Sequence, residues 1–172
     1  MQSLDIEVIK LLGVKPFTQR LEQIVHPTCV FHNPTITLRF PYSKSDSRTR
    51  FLQFSHEGID IECWADEEGF IFEVNLLTYN IVNISSVINL VHFEIGIPFF
   101  EYGQTKVDLK TIRRNNSEIR ILLSKDDLLV QIQNSDLLTM KWIGIGRMYF
   151  GINDNKELCG FLFKGIDFAG YL

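Results

Sequence analysis

Two stretches of the chain alternate apolar and polar positions on either side of a short polar turn. In the first, Gly58 to Ala65 and Phe70 to Leu77 flank Asp66-Glu67-Glu68-Gly69. A period of two marks a half-buried strand, and a polar turn between two such runs reads as a β-hairpin. With those four residues as the loop, Ala65 faces Phe70, Cys63 faces Phe72, Ile61 faces Val74 and Ile59 faces Leu76, all apolar. The other face pairs Trp64 with Ile71, Glu62 with Glu73 and Asp60 with Asn75. A slip of one residue would mix the faces, so the pattern itself selects the register. The second stretch runs from Gly146 to Asn153, turns over Asp154 to Glu157 and resumes at Leu158; here Ile152 meets Cys159, Phe150 meets Phe161 and Met148 meets Phe163.

Further strands are predicted where Ile36, Leu38 and Phe40 alternate with polar residues, at Phe51 to Phe54, and where Leu128, Val130 and Ile132 alternate with Leu129, Gln131 and Gln133. Helix signals stand between them. Ser3 can cap a helix reaching Gly13, Thr18 one reaching His26 before Pro27, and Thr105 one from Lys106 to Arg114 with Asp108 at the capping-box position. A shift of 88 residues carries Gly58 onto Gly146, loop onto loop, and Leu21 and Ile24 onto Leu109 and Ile112. The expectation is an α+β protein of antiparallel hairpin and meander sheets with short helices. It is built from two similar halves, 1–89 and 90–172, joined near Asn89 to Gly96.

Composition changes this picture in one respect. Hydrophobic residues make up 45% and charged residues 22% of 172, an ordinary globular balance. The net charge of −4, however, is unevenly distributed: between Arg50 and Lys106 there are nine acids and no Lys or Arg. Such segregation bears on partners and encounter rates rather than on fold. The start of the chain lacks the basic and apolar run of a secretory signal, no stretch is apolar for long enough to span a bilayer, and three distant cysteines suit reduced thiols. The expectation is a cytoplasmic protein with no membrane partner; a monomer is favoured, but the sequence does not fix the oligomeric state.

Candidate chemistry is sparse. His26, Cys29 and His32 have metal-like spacing but form only half of a usual zinc signature, so no metal and no cofactor is expected. The glycines of Trp142 to Gly151 precede a strand, not a helix, and read as a tight bend rather than a dinucleotide loop. Lys106, Lys110, Arg113 and Arg114 form a basic stripe without accompanying base readers, and direct nucleic-acid binding is not expected. Asp60 and Glu62, with His56, are the only acid/base candidates, and a solvated strand face explains them as well. Cys63 and Cys159 fall on inferred core faces. The chain therefore reads as a binding protein rather than an enzyme. Its candidate surface is the acidic outer face of the first hairpin: Asp60, Glu62, Trp64, Asp66, Glu67, Glu68 and Glu73, an aromatic ringed by acids. An adaptor using the apolar segment from Ile81 to Phe100 is the alternative.

The order of parts resembles the small immunity proteins that accompany bacterial toxins, including those of contact-dependent growth inhibition. The resemblance rests on Leu11-Leu12-Gly13, the Gly58 to Gly69 hairpin, Gly96-Ile97-Pro98-Phe99, and Gly103 to Leu109, with a second hairpin closing the chain. Where such families end the second helix in a Leu-Gly-x-Pro turn, this chain has Asn115-Asn116-Ser117. The resemblance implies a stoichiometric inhibitor with no catalytic residues, whose partner is a cognate toxin domain, often a cationic nuclease.

Overall fold

The computed structural model describes residues 9–16, 28–32, 35–39, 50–56, 59–77, 82–83, 90–101, 112–114, 119–124, 127–132 and 136–165, and every regular element among them is a β-strand. In chain order these are β1 (Lys10–Lys15), β2 (Thr28–His32), β3 (Thr35–Arg39), β4 (Arg50–His56), β5 (Ile59–Ala65), β6 (Ile71–Leu77), β7 (Val82–Asn83) and β8 (Phe93–Ile95). There follow β9 (Ile97–Glu101), β10 (Ile112–Arg114), β11 (Arg120–Ser124), β12 (Asp127–Gln131), β13 (Lys141–Ile145), β14 (Met148–Ile152) and β15 (Leu158–Phe163).

The α+β expectation is thus overturned. The helix foreseen up to Gly13 is replaced, over its described part, by β1, and the end of the helix foreseen up to Arg114 is β10. A capping side chain contributes only about 1 kcal/mol. Pairing of β1 with β9 and of β10 with β4 supplies a ladder of backbone hydrogen bonds that local propensity does not match. The helix foreseen from Thr18 to His26 lies outside the described residues.

The strands form a two-stranded ribbon, β1-β9, and two larger sheets, ordered β10-β4-β5-β6-β3-β2 and β7-β11-β12-β15-β14-β13-β8. Read from its other end, the second sheet repeats the first: a parallel edge strand (β10 or β8), then three meander strands, then a hairpin. The registers agree as well. Thr28 opposite Arg39 becomes Arg120 opposite Gln131, Ile36 opposite Leu76 becomes Leu128 opposite Phe163, and Arg50 opposite Ala65 becomes Lys141 opposite Ile152. The offset runs from 92 residues for β2 (28 to 120) to 87 for β5 (65 to 152), so no single shift aligns the chain. Two short strands cross the division at 89/90: β7 joins the second sheet and β10 the first.

Both hairpins carry the same irregularity. In the first, Ile61 pairs with Leu76, Cys63 with Val74, Trp64 with Glu73 and Ala65 with Ile71, leaving Phe72 as the extra residue of a bulge. This differs by two positions from the predicted register. An even shift preserves the faces, so Ile59, Ile61, Cys63, Ala65, Val74 and Leu76 are buried as expected, while Ile71 takes the core place foreseen for Phe72. In the second, Met148 meets Phe163 and Phe150 meets Phe161 as predicted; Ile152 meets Leu158, and Cys159 is the bulge residue.

The turns are built alike. The Asp66 carboxylate accepts the backbone N–H groups of Glu68, Gly69 and Phe70 at 3.0, 3.1 and 3.0 Å. The Asn153 side-chain oxygen accepts those of Asn155 and Glu157 at 3.0 and 2.9 Å. Gly69 and Lys156, at matching places, are both left-handed, with φ of 97° and 62°. Each turn also receives one ribbon amide: Phe100 N–H donates to the Gly69 carbonyl at 3.0 Å, and Leu11 N–H to the Lys156 carbonyl at 2.7 Å. Leu11 and Phe100 are themselves partners across the ribbon. Inner-face residues of both sheets, with Ile9 and Phe100 of the ribbon segment, make one continuous hydrophobic cluster.

The two left-handed positions differ in what they tolerate. A Cβ at Gly69 would lie 2.3 Å from the Phe100 carbonyl oxygen. Gly69→Ala should therefore destabilise the protein by about 2 kcal/mol or more, since conformational strain of roughly 1–2 kcal/mol adds to a backbone clash. Lys156→Gly relieves left-handed strain and should be neutral or stabilising by up to about 1 kcal/mol. Urea denaturation of the two variants measures the contrast.

Candidate functional site

The backbone register of the first sheet aligns residues of four strands in rows. Register places Gln53, Glu62, Asn75 and Thr37 in one row, Phe51, Trp64, Glu73 and Arg39 in the next, and Ser55, Asp60, Leu77 and Thr35 in a third. Glu62 and Glu73 are therefore not directly opposed, as the shorter loop register required; they stand in adjacent rows. Asp60, Glu62 and Trp64 are half-buried, whereas Glu73 is 4% exposed and accepts a hydrogen bond from Asn75 Nδ2 at 3.2 Å.

Three carboxylates still act on one another here. The Glu62 carboxyl is held above the ordinary carboxylate range, first by desolvation and then by the charges of Asp60 and Glu73. The Cys63 thiol behind it is pushed up by complete burial and by Glu62, so it is a small buried hydrophobe and not a nucleophile. Cys159 is buried too, but in the second sheet's outer cluster rather than in the main core.

The remaining acids have other uses. Asp66 is buried and closes its turn, Glu68 forms an ion pair with Lys15 of β1, and Glu94 forms one with Lys141 of β13. Glu67 is exposed at the loop tip. The acidity of residues 51–105 is thus partly neutralised in space by cations that are remote in sequence. Of the seven candidate residues, the structure gathers Asp60, Glu62, Trp64 and Glu73 on one face and sets Asp66, Glu67 and Glu68 at its end. Gln53 and Asn75 share the face and were not foreseen; the long-range pairing of β3 with β6 sets the Arg39 backbone opposite that of Glu73.

The matching face of the second sheet has the opposite character. Its central row reads Trp142, Gly151, Gly160 and Gln131, so Trp64 and Glu73 are replaced by two paired glycines. The fully buried Trp142 ring fills the space they leave: a Cβ on Gly151 would sit 2.9 Å from it. Leu129, Met140, Cys159 and Leu162 complete this second cluster, with Leu90, Leu122, Leu137 and Tyr149 packed around it. One outer face is closed over by the chain's own apolar side chains; the other keeps its charges. The bend expected in the glycine-rich stretch is the β13–β14 turn, with Gly146 at φ 62°.

Among the described residues, no three His, Cys, Asp or Glu gather to hold an ion, and no helix is long and apolar enough to cross a membrane. Cys29 and His32 stand three positions apart on β2; His26 lies outside the described residues.

The raised Glu62 carboxyl has a definite sign. Because the folded state holds this proton more tightly than the unfolded chain, stability falls as pH rises through the folded-state value. Glu62→Gln should be more stable than the wild type at pH 7, and the difference should vanish once the pH falls below the ordinary carboxylate range. Thermal unfolding of both proteins from acid to neutral pH checks this. No protein-family model matches the chain, and no curated protein matches it.

Proposed function

We propose that the chain is a binding protein of the toxin-immunity type, acting in the cytoplasm without catalysis or cofactor. Its partner on this reading is a basic protein, a cognate toxin domain such as a cationic nuclease. One observation carries the reading: two sheets share order and register, yet only the first keeps an outer face with Asp60, Glu62 and Glu73 around a half-buried Trp64. Mutual repulsion of those carboxylates works against stability, and a cationic partner would relieve it. The resemblance in the order of parts adds to this.

The mechanism is occlusion. An acidic face with an aromatic anchor would cover a cationic active site in place of the nucleic-acid backbone. Opposite fields accelerate encounter, which an inhibitor of a lethal enzyme requires, and this acceleration declines with salt. Trp64 supplies the apolar contact that slows dissociation.

The test begins with co-purification of the partner from the source cells, followed by kinetics. Trp64→Ala should raise the dissociation rate by about thirtyfold, corresponding to roughly 2 kcal/mol for a central anchor. Glu62→Gln should weaken binding while stabilising the free protein, a combination that a purely structural role would not give. Unchanged binding by both folded variants would remove this surface as the interface.

A further inference from the structure

The two sheets also differ at equivalent edges. β10 and β8 occupy the same place, each pairing in parallel with the first meander strand. β10 carries Arg113 and Arg114, and a charged edge resists pairing with another chain. β8 carries one charged residue, Glu94, and it is ion-paired with Lys141 of β13. Val91, Phe93 and Ile95 alternate along it and are 55, 43 and 72% exposed. Among the described residues β8 pairs with β13 alone. Its alternate backbone groups are committed to that strand: the His92 carbonyl accepts Trp142 N–H at 2.7 Å, and Gly96 N–H donates to the Gly144 carbonyl at 3.1 Å. By the period of two, the N–H and C=O groups of Val91, Phe93 and Ile95 point away from β13, to a side where no described strand pairs.

The segment Val91-His92-Phe93-Glu94-Ile95 is self-complementary when read antiparallel about Phe93. In that register Phe93 meets its own copy, His92 meets Glu94, and Val91 meets Ile95. The outward backbone groups are those of residues 91, 93 and 95, the ones that exchange hydrogen bonds in this register. The neighbouring registers, centred on Glu94 or on His92, would oppose two carboxylates or two imidazoles. Phe93 is already propped for contact: its ring meets Tyr149 edge-on at 5.0 Å, and Lys164 Nζ lies 5.4 Å from its centroid.

We propose that β8 is a self-association edge, at which a second copy of this chain adds its own β8 antiparallel and centred on Phe93, joining two seven-stranded sheets. The interface is isologous and closed, so it yields a dimer rather than a fibre. With five residues a side it is small, and the dimer is a micromolar one. It is independent of the acidic face of the first sheet.

The experiment is sedimentation of the intact protein across micromolar concentrations. Wild type should pass from monomer to dimer. Ile95→Lys should weaken association at least about tenfold, since the change is made twice per dimer; the exposure of Ile95 leaves folding intact, which circular dichroism confirms. The register is read by cross-linking: Phe93→Cys should form a disulfide-linked dimer under oxidation, whereas His92→Cys should not unless Glu94→Cys is present in the same chain. A wild type that stays monomeric throughout, or an Ile95→Lys protein that dimerises as well as wild type, overturns the proposal. Cross-linking of His92→Cys alone overturns the register.

Discussion

The pairing of Leu11 with Phe100 holds the arrangement together. These two residues face each other across the ribbon, and each sends its amide to the turn of one hairpin, Lys156 for Leu11 and Gly69 for Phe100. The connection is reciprocal. The strand that opens the first half is tied to the second half's hairpin, and β9 to the first half's. Both turns must therefore present a carbonyl at the same place, which explains why both have a left-handed residue there and a side-chain oxygen folding the loop beneath it. The inner faces then meet the ribbon in one core.

A shared scaffold makes the differences between the sheets informative. At matching positions Trp64 and Glu73 stand against Gly151 and Gly160, and the consequences run outward from backbone to surface. Paired glycines admit the Trp142 ring and let the second sheet bury both faces. Side chains at the same places in the first sheet exclude such a ring and leave a polar face on which like charges raise the Glu62 carboxyl. The second sheet thereby packs apolar side chains on both faces, while the first keeps charge on its outer one.

Much of the strand pattern was legible in the sequence, and its limits have physical causes. Strict alternation identified both hairpins and the core faces of Ile61, Cys63, Val74, Leu76, Met148, Phe150, Phe161 and Phe163, because burial on one face enforces the period. The bulges were hidden, since a residue added opposite Ala65 or Ile152 changes pairing without breaking the local pattern. The two helix forecasts that reach described residues failed because capping is local, while β1 and β10 are fixed by partners 89 and 60 positions away (Leu11 to Phe100, Leu52 to Ile112) in ribbon and sheet. The acidic block was legible as composition, but not its partial neutralisation, because ion pairs such as Lys15 with Glu68 arise only once distant strands meet.

The claim that the first sheet presents an acidic aromatic face can be tested through the protein's own fluorescence. The chain has two tryptophans, and Trp142 is fully buried. Collisional quenching by caesium and by iodide at matched ionic strength therefore reports on Trp64. The account predicts stronger quenching by caesium, attracted by Asp60, Glu62 and their neighbours, than by iodide. Equal quenching, or quenching dominated by iodide, would contradict it.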